Sequence, residues 1–445
     1  MASTLRPRPL EYDSLKTVIQ QMDPNSRFKL CLLLPSLRKV DCVVPLKIKR
    51  LEFKPYEFIV NETSYRLGMF RDYGGQDIPA EHRSQNERGG INMDLDEYGF
   101  YDSTVGEATT PGDIQIRGGG LRSLHLFYDE EGLNRLEAQV KGYGFLLARK
   151  RGENLGLPPA GESDESRIVA DDRHFPVEIL QNMHDGLQSN LLPYLYRRAG
   201  TLPPYTKFAQ LNISGHWTLS HNFQKDSRLD QTQKNLTDVL FGHRSAEIHV
   251  NRLIVDYDYF TIRLPPGLKF RIRELSMSYN EVGVYKELDS IIDSSSYPLK
   301  VALAQNIVEH PLINSAKRLD LQVLDNFEAF QKVCSQVVTV NFSYLSLENY
   351  VELVENMLDR PRDTGTYMCF GHPSEHQVTV KTILGALEAR FDNVKRGTKS
   401  VTIPMRDHRR QIVVSHEPSP DENECWPLWS IVFRVEEVEE VDKAK

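Results

Sequence analysis

The chain has 445 residues, of which 40% are hydrophobic and 26% charged; this composition excludes the fibrous and wholly disordered classes, and the length exceeds what one core usually fills. A formal net charge of −8 at pH 7 opposes general attraction to phosphate backbones, so nucleic acid is not an expected partner. No stretch approaches the ~20 apolar residues of a membrane span, and the opening MASTLRPRPL lacks the apolar core of a signal peptide. No membrane partner is expected, and the expected location is intracellular, in the cytoplasm or nucleus.

Five cysteines, Cys31, Cys42, Cys334, Cys369 and Cys425, are widely spaced and odd in number, and none forms a CxxC pair. That argues against a disulfide framework and against a zinc knuckle. Glycosylation sequons at Asn61, Asn212, Asn235 and Asn341 matter only in a secreted chain.

Residues 1–9 read as a flexible tail, and residues 10–41 as a small helical module. Leu15, Val18, Ile19 and Met22 recur at the spacing of one apolar helical face. Asp23 before Pro24 is a sound start for a second helix, because proline at the first helical position lacks only an N–H that would be unsatisfied anyway. That helix, through Phe28, Leu30, Cys31, Leu32, Leu33 and Leu34, is apolar nearly all round and is expected to be covered on more than one side. Pro35 limits it, and Ser36–Val40 forms a short third element.

Residues 42–150 read as a strand-containing region. VVPLKIKRLEF suggests a strand, and residues 74–112 form a polar loop too poor in apolar residues to order itself by burial. PGDIQIR holds a short strand, and Asp129–Arg151 reads as a helix weakened by Gly132, Gly142 and Gly144. A turn-rich linker spans 151–175.

The body, 176–358, reads as strand and helix in alternation. FAQLNISGHWTL is read as a strand, and DSRLDQTQKNLTDVLFG as a helix ending at Gly242. AEIHVNRLIV can be laid on VPLKIKRLEF, with Ile248 on Leu46, Val250 on Ile48, Arg252 on Arg50 and Leu253 on Leu51. Leu275, Leu299, Leu319 and Val340 continue at intervals of 24, 20 and 21 residues, inside the ~20–29 residue range of leucine-rich-type repeats. Residues 359–435 read as a mixed α+β cap, and 436–445 as an acidic tail. The expected class is α+β or α/β: a short N-terminal helical module, a repeat-like strand–helix body resembling leucine-rich repeats, and the cap.

Candidate chemistry is sparse. His216, His221, His243 and His249, with Asp238 and Asp256, form the densest group of potential ligands, but the spacing is that of no known metal site. IRGGGLRS lacks the Lys-Ser/Thr of a phosphate loop, and RDHRRQ reads as a hairpin tip. There is no GxSxG and no local cysteine-protease signature. The chain is expected to be no enzyme, with no catalytic residue, metal or cofactor. Tyr257, Tyr259 and Phe260 either anchor a partner, as interface aromatics do, or pack the edge of the body.

PLEYDSLKTVIQQMDPNSRFKLCLLLPSLRKV resembles an F-box. Together with VPLKIKRLEF, PGDIQIR, HRSAEIHVNRLIV, IRLPPGLKF, SSSYPLKVAL, EHPLINSAKRLDL and GTYMCFG, it is similar to the nematode F-box C family with its associated domain of unknown function. The resemblance implies docking to the Skp-type adaptor of a cullin-based ubiquitin ligase and recruitment of an unidentified protein substrate. By position it makes Pro9, Leu10, Leu15, Val18, Ile19, Met22, Pro24, Phe28, Leu30 and Leu34 the adaptor-binding surface. Two alternatives stand beside it: a scaffold or interaction protein whose F-box-like segment is structural and binds no adaptor, and an uncharacterised metal-dependent enzyme.

Overall fold

The computed structural model describes residues 11–102, 109–116, 130–152, 174–255, 260–277, 282–306, 309–372, 377–418 and 429–438. The N-terminal helices are α1 (Tyr12–Gln21), α2 (Pro24–Leu33) and α3 (Arg38–Asp41), with a 3-10 turn at Pro35–Leu37. Asp23 caps α2 by accepting the Ser26 N–H at 2.9 Å, with Pro24 at the first helical position.

Strands β1 (Leu46–Lys54), β2 (Glu57–Val60) and β3 (Thr63–Asp72) follow as an antiparallel meander. Then come α4 (Ala80–Glu87), β4 (Ile114–Ile116), α5 (Glu130–Lys150) and α6 (Val177–Ala199). Strands β5 (Thr206–Ser214) and β6 (Leu219–Lys225) form a hairpin, so the stretch FAQLNISGHWTL holds two strands rather than one.

Helix α7 (Leu229–Phe241) leads into β7 (Ile248–Val255), β8 (Phe260–Ile262) and β9 (Phe270–Met277). After them run α8 (Val282–Asp289), β10 (Val301–Ala304), α9 (Pro311–Asn314), β11 (Arg318–Leu324), α10 (Phe327–Phe330), β12 (Val337–Ser343), α11 (Leu347–Asp359) and β13 (Tyr367–His372). The chain ends with α12 (Gln377–Arg390), β14 (Lys395–Arg396), β15 (Ser400–Pro404), β16 (Arg410–Pro418) and β17 (Trp429–Glu437).

Among the described residues, fifteen strands share one sheet, ordered β14-β15-β16-β17-β13-β12-β11-β10-β9-β7-β1-β2-β3-β5-β6. From β13 to β1 every pairing is parallel, and both flanks are antiparallel. This is a mixed α/β fold built on a large mixed sheet.

One row shows why it is not the regular repeat that the leucine spacing suggests. Leu253, Leu275, Ala302, Leu319, Val338 and Met368 lie abreast and buried. Their intervals are 22, 27, 17, 19 and 30 residues, and the connecting helices range from four residues to thirteen. Leu299 and Val340 do not belong to that row: Ala302 and Val338 take their places.

One face of the sheet carries the core. Phe28 of α2 meets Phe241 of α7 edge-on at 5.4 Å, and Phe58 stacks on Tyr65 at 5.0 Å. Tyr285 of α8, Tyr350 of α11 and Leu387 of α12 extend the same cluster.

Residues 74–112, expected as a polar loop, contain α4 and several buried groups. Order there comes from backbone contact and buried polar bonds. A Cβ at Gly68 would stand 2.1 Å from the Gly89 carbonyl oxygen, so β3 can be crossed this closely only at a glycine. The linker segment 153–173 and the glycine run Gly118–Gly120 lie outside the described residues.

Candidate functional site

The N-terminal helices are fastened to the sheet by a buried ionic knot. Asp41, at the end of α3, accepts Arg27 Nε at 2.6 Å and also pairs with Arg244 Nη2; all three side chains are 2–3% exposed. Arg27 also donates to the carbonyls of Pro45 and Val44, at 2.7 and 3.0 Å, and Arg244 to the carbonyl of Asp41 at 3.0 Å. A buried carboxylate between two guanidiniums is tolerable only when the remaining donors are satisfied, as here. Asn25 adds a bond to the Val60 carbonyl at 3.0 Å and accepts the Tyr65 hydroxyl at 3.0 Å.

This packing divides the sequence-predicted docking residues. Ile19, Pro24 and Phe28 are buried, and Leu15, Met22 and Leu30 are half-buried. Ile19 closes a small cluster with Val40 and Val44, against which Leu15 and Met22 pack. Val18 and Leu34 are exposed, and Pro9 and Leu10 lie outside the described residues. Helix α2 is therefore not covered all round. Its C-terminal end presents Leu33 at 60% exposure and Leu34 at 51%, and α1 adds Tyr12 and Val18. Sequence reasoning missed Leu33 and Tyr12, although Leu33 sits five residues beyond Phe28, off its buried face.

The other candidate residues do not converge. His216 reaches Ser26 at 3.4 Å, His221 packs on Phe223, His243 pairs with Asp238 at 3.3 Å and His249 with Glu247 at 3.0 Å. Among the described residues no three His, Cys, Asp or Glu groups gather as a metal site would require. Asp256 lies outside the described residues, as do Tyr257 and Tyr259. Phe260, in β8, packs against the core. RDHRRQ turns the β15–β16 hairpin, with Asp407 held by Arg410 at 2.7 Å.

A trough of about 360 Å³ opens beside the start of β7 and β9. Several of its charged groups already have partners: Arg244 with Asp41, Arg271 with Glu247 at 3.5 Å, and Asp293 with the Ser295 N–H at 2.9 Å. It also lies at the N-terminal ends of the parallel strands, opposite to where α/β sheets bind ligands.

Two displaced pKa values mark buried groups with structural partners. Burial lifts Asp94 to about 6, although its carboxylate accepts the Leu229 N–H at the first turn of α7, at 2.9 and 3.2 Å. Burial and nearby Arg71 lower His82 to about 3, and its Nδ1 bonds the Tyr73 hydroxyl at 2.6 Å. A third group, the Asp113 carboxylate, holds Lys234 and Arg263, each at 2.7 Å. Burial alone would raise it, but these donors and Thr110 carry it below the ordinary carboxylate range.

Residues 228–372, a third of the chain, match the family model described as a domain of unknown function, DUF3557. No curated protein and no solved structure matches the chain. The match runs from α7 to β13, through most of the parallel strands. It overturns the resemblance to F-box C proteins: the matched domain is unrelated to an F-box-associated module, and the F-box and ubiquitin-ligase vocabulary falls with it. No described helix is long and apolar enough to cross a membrane.

Proposed function

We propose that the chain is a non-catalytic protein-interaction protein, whose sheet body holds an apolar docking rim on α1 and α2 in a fixed position. The observation that carries this reading is the pair Leu33–Leu34, exposed at the end of a helix whose opposite side is locked by Phe28 and the Arg27–Asp41–Arg244 knot. Large aliphatic side chains held rigidly in water are what a partner's pocket rewards, because little ordering entropy remains to be lost. A second reading, a scaffold whose N-terminal helices are purely structural, is favoured by the burial of Ile19 and Phe28.

Point variants distinguish the two, whereas deleting residues 1–41 would remove Phe28 and Asp41 and disrupt the body. The full chain and its Leu33→Asp and Leu34→Asp variants are compared in quantitative affinity purification, with an immobilised Skp-type adaptor as one defined probe. Partners lost by both variants at unchanged melting temperature support docking at the rim. Identical recovery with all three chains sinks it in favour of the scaffold.

A further inference from the structure

The sheet's other face is not packed by the helices of the core, and its outward residues differ from one end of the strands to the other. Ile254, Cys369 and Val432 lie on this second face: each is buried, yet none belongs to the core cluster. Parallel sheets are ordinarily covered on both faces. Among the described residues, five adjacent parallel strands, β1, β7, β9, β10 and β11, leave this face uncovered at their N-terminal ends, where the outward side chains of all but β7 are exposed and basic.

The register places the cations abreast. Ile48 pairs with Val250 and Arg50 with Arg252, so Lys49 stands beside Asn251; by the same step Asn251 stands beside Arg273. The Lys300 N–H bonds the Arg273 carbonyl at 2.8 Å and the Arg318 N–H bonds the Lys300 carbonyl at 3.1 Å. Lys49, Arg273, Lys300 and Lys317 therefore form one exposed row, broken only by Asn251. With strands ~4.8 Å apart, the row is roughly 19 Å long.

Neighbouring arginines have partners: Arg50 with Glu52, Arg252 with Glu274 at 3.3 Å, and Arg318 with Asp320 at 2.9 Å. Lys49, Arg273, Lys300 and Lys317, and Lys47 two positions earlier on β1, have no ion pair among the described residues. Like charges directly opposite on neighbouring strands are destabilising, and surface charge that serves solubility alone mixes both signs. A same-sign row in a chain of net charge −8 is complementary to a counter-charge from outside it.

We infer that this row is a docking surface for an acidic, extended segment of another protein. Its length matches about six residues of extended chain, and its cations complement a run of Asp and Glu. Nucleic acid fits less well. Among the described residues the row offers no aromatic platform for base stacking, and the carboxylates of Glu274 and Asp320 beside it oppose a continuous phosphate backbone while leaving room for separate acidic side chains. This surface is independent of the apolar rim on α1 and α2, so neither reading falls with the other.

The test uses the full chain and a fluorescein-labelled decamer of glutamate, read by anisotropy. Binding is expected at low salt and to weaken about tenfold on going to ~0.3 M salt, as for exposed charges. The double variant Arg273→Glu with Lys300→Glu should weaken binding by about tenfold or more. Arg273→Gln with Lys300→Gln should give a smaller loss in the same direction at unchanged melting temperature, which separates lost binding from lost folding. A control with equal charge change away from the row, Arg135→Glu with Lys225→Glu, should stay within about twofold. Equal weakening by row and control variants, absence of peptide binding, or tighter binding of a single-stranded oligonucleotide than of the peptide would each overturn the inference.

Discussion

Asp41 and Arg244 lie 203 positions apart in the chain and form one buried ion pair, which Arg27 completes from the other side. Through it residues 11–41 are part of the sheet's packing and not a detachable module. Removing one partner of such a knot leaves the others charged and dry, which typically costs 3–5 kcal/mol. Asp41→Ala is therefore expected to unfold at markedly lower urea concentration than wild type. A midpoint shift equivalent to under about 1 kcal/mol would show that the pair is solvated.

Phe28 reports the same attachment through apolar packing. It is fully buried against Tyr65 and Phe241, and Phe28→Ala should cost about 3–5 kcal/mol. Leu33→Ala, on the exposed side of the same helix, should stay within about 0.5 kcal/mol of wild type. Equilibrium unfolding of the two variants side by side checks the contrast.

His82 gives a pH dependence of definite sign. Its pKa is about 3 in the folded chain and about 6.5 when unfolded, so the folded state binds fewer protons between those values. Stability is expected to fall as pH drops through that window, by up to about 1.4 kcal/mol per pH unit from this group. His82→Gln should flatten the profile between pH 6.5 and 4 in urea titrations; an unchanged slope would remove His82 from the account.

Asp94 should act in the opposite direction. Its folded pKa of about 6 lies above the ordinary ~3.9, so the folded state holds the extra proton, and stability falls as pH rises from ~4 to ~6. Asp94→Asn keeps an acceptor for the Leu229 N–H and should lose that dependence. Asp94→Ala removes the acceptor at the start of α7 and should cost about 1–2 kcal/mol at pH 7. Thermal melts of both variants at pH 4 and pH 7 separate the two effects.

Sequence patterning reached different depths in different places. Laying AEIHVNRLIV on VPLKIKRLEF matched residues that prove to be hydrogen-bonded neighbours in the same register: Leu46 with Ile248, Ile48 with Val250, Arg50 with Arg252. Similar strands in adjacent positions of one sheet meet similar surroundings, and so carry similar residues. The leucine spacing beyond them misled because Ala302 fills its place in the buried row with a side chain too small to mark a period.

Other elements were illegible for a stated physical cause. Residues 74–102 look polar because what orders them is remote: Gly68 admits Gly89, and Asp94 caps a helix 135 positions later. Helix α6 was not foreseen, since it carries Pro193 in its interior and few buried residues. The F-box resemblance rested on a Leu-rich first helix, the Asp-Pro-x-x-Arg entry to a second, a compact third element and short blocks downstream, and a proline-led helix start is one that many unrelated helices share. The exposed row of cations was visible in the sequence only as scattered lysines and arginines, because their alignment exists across strands and not along the chain.

The placement of β1 bears on how the chain is made. β1 lies between β2, three residues after it, and β7, whose first residue is 202 positions beyond its own. At ~5–20 residues per second of synthesis, one edge of β1 waits roughly 10–40 s on the ribosome before its neighbour exists. The growing chain must shelter that edge throughout, so the β1–β7 pairing is a late, long-range step in reaching the native state.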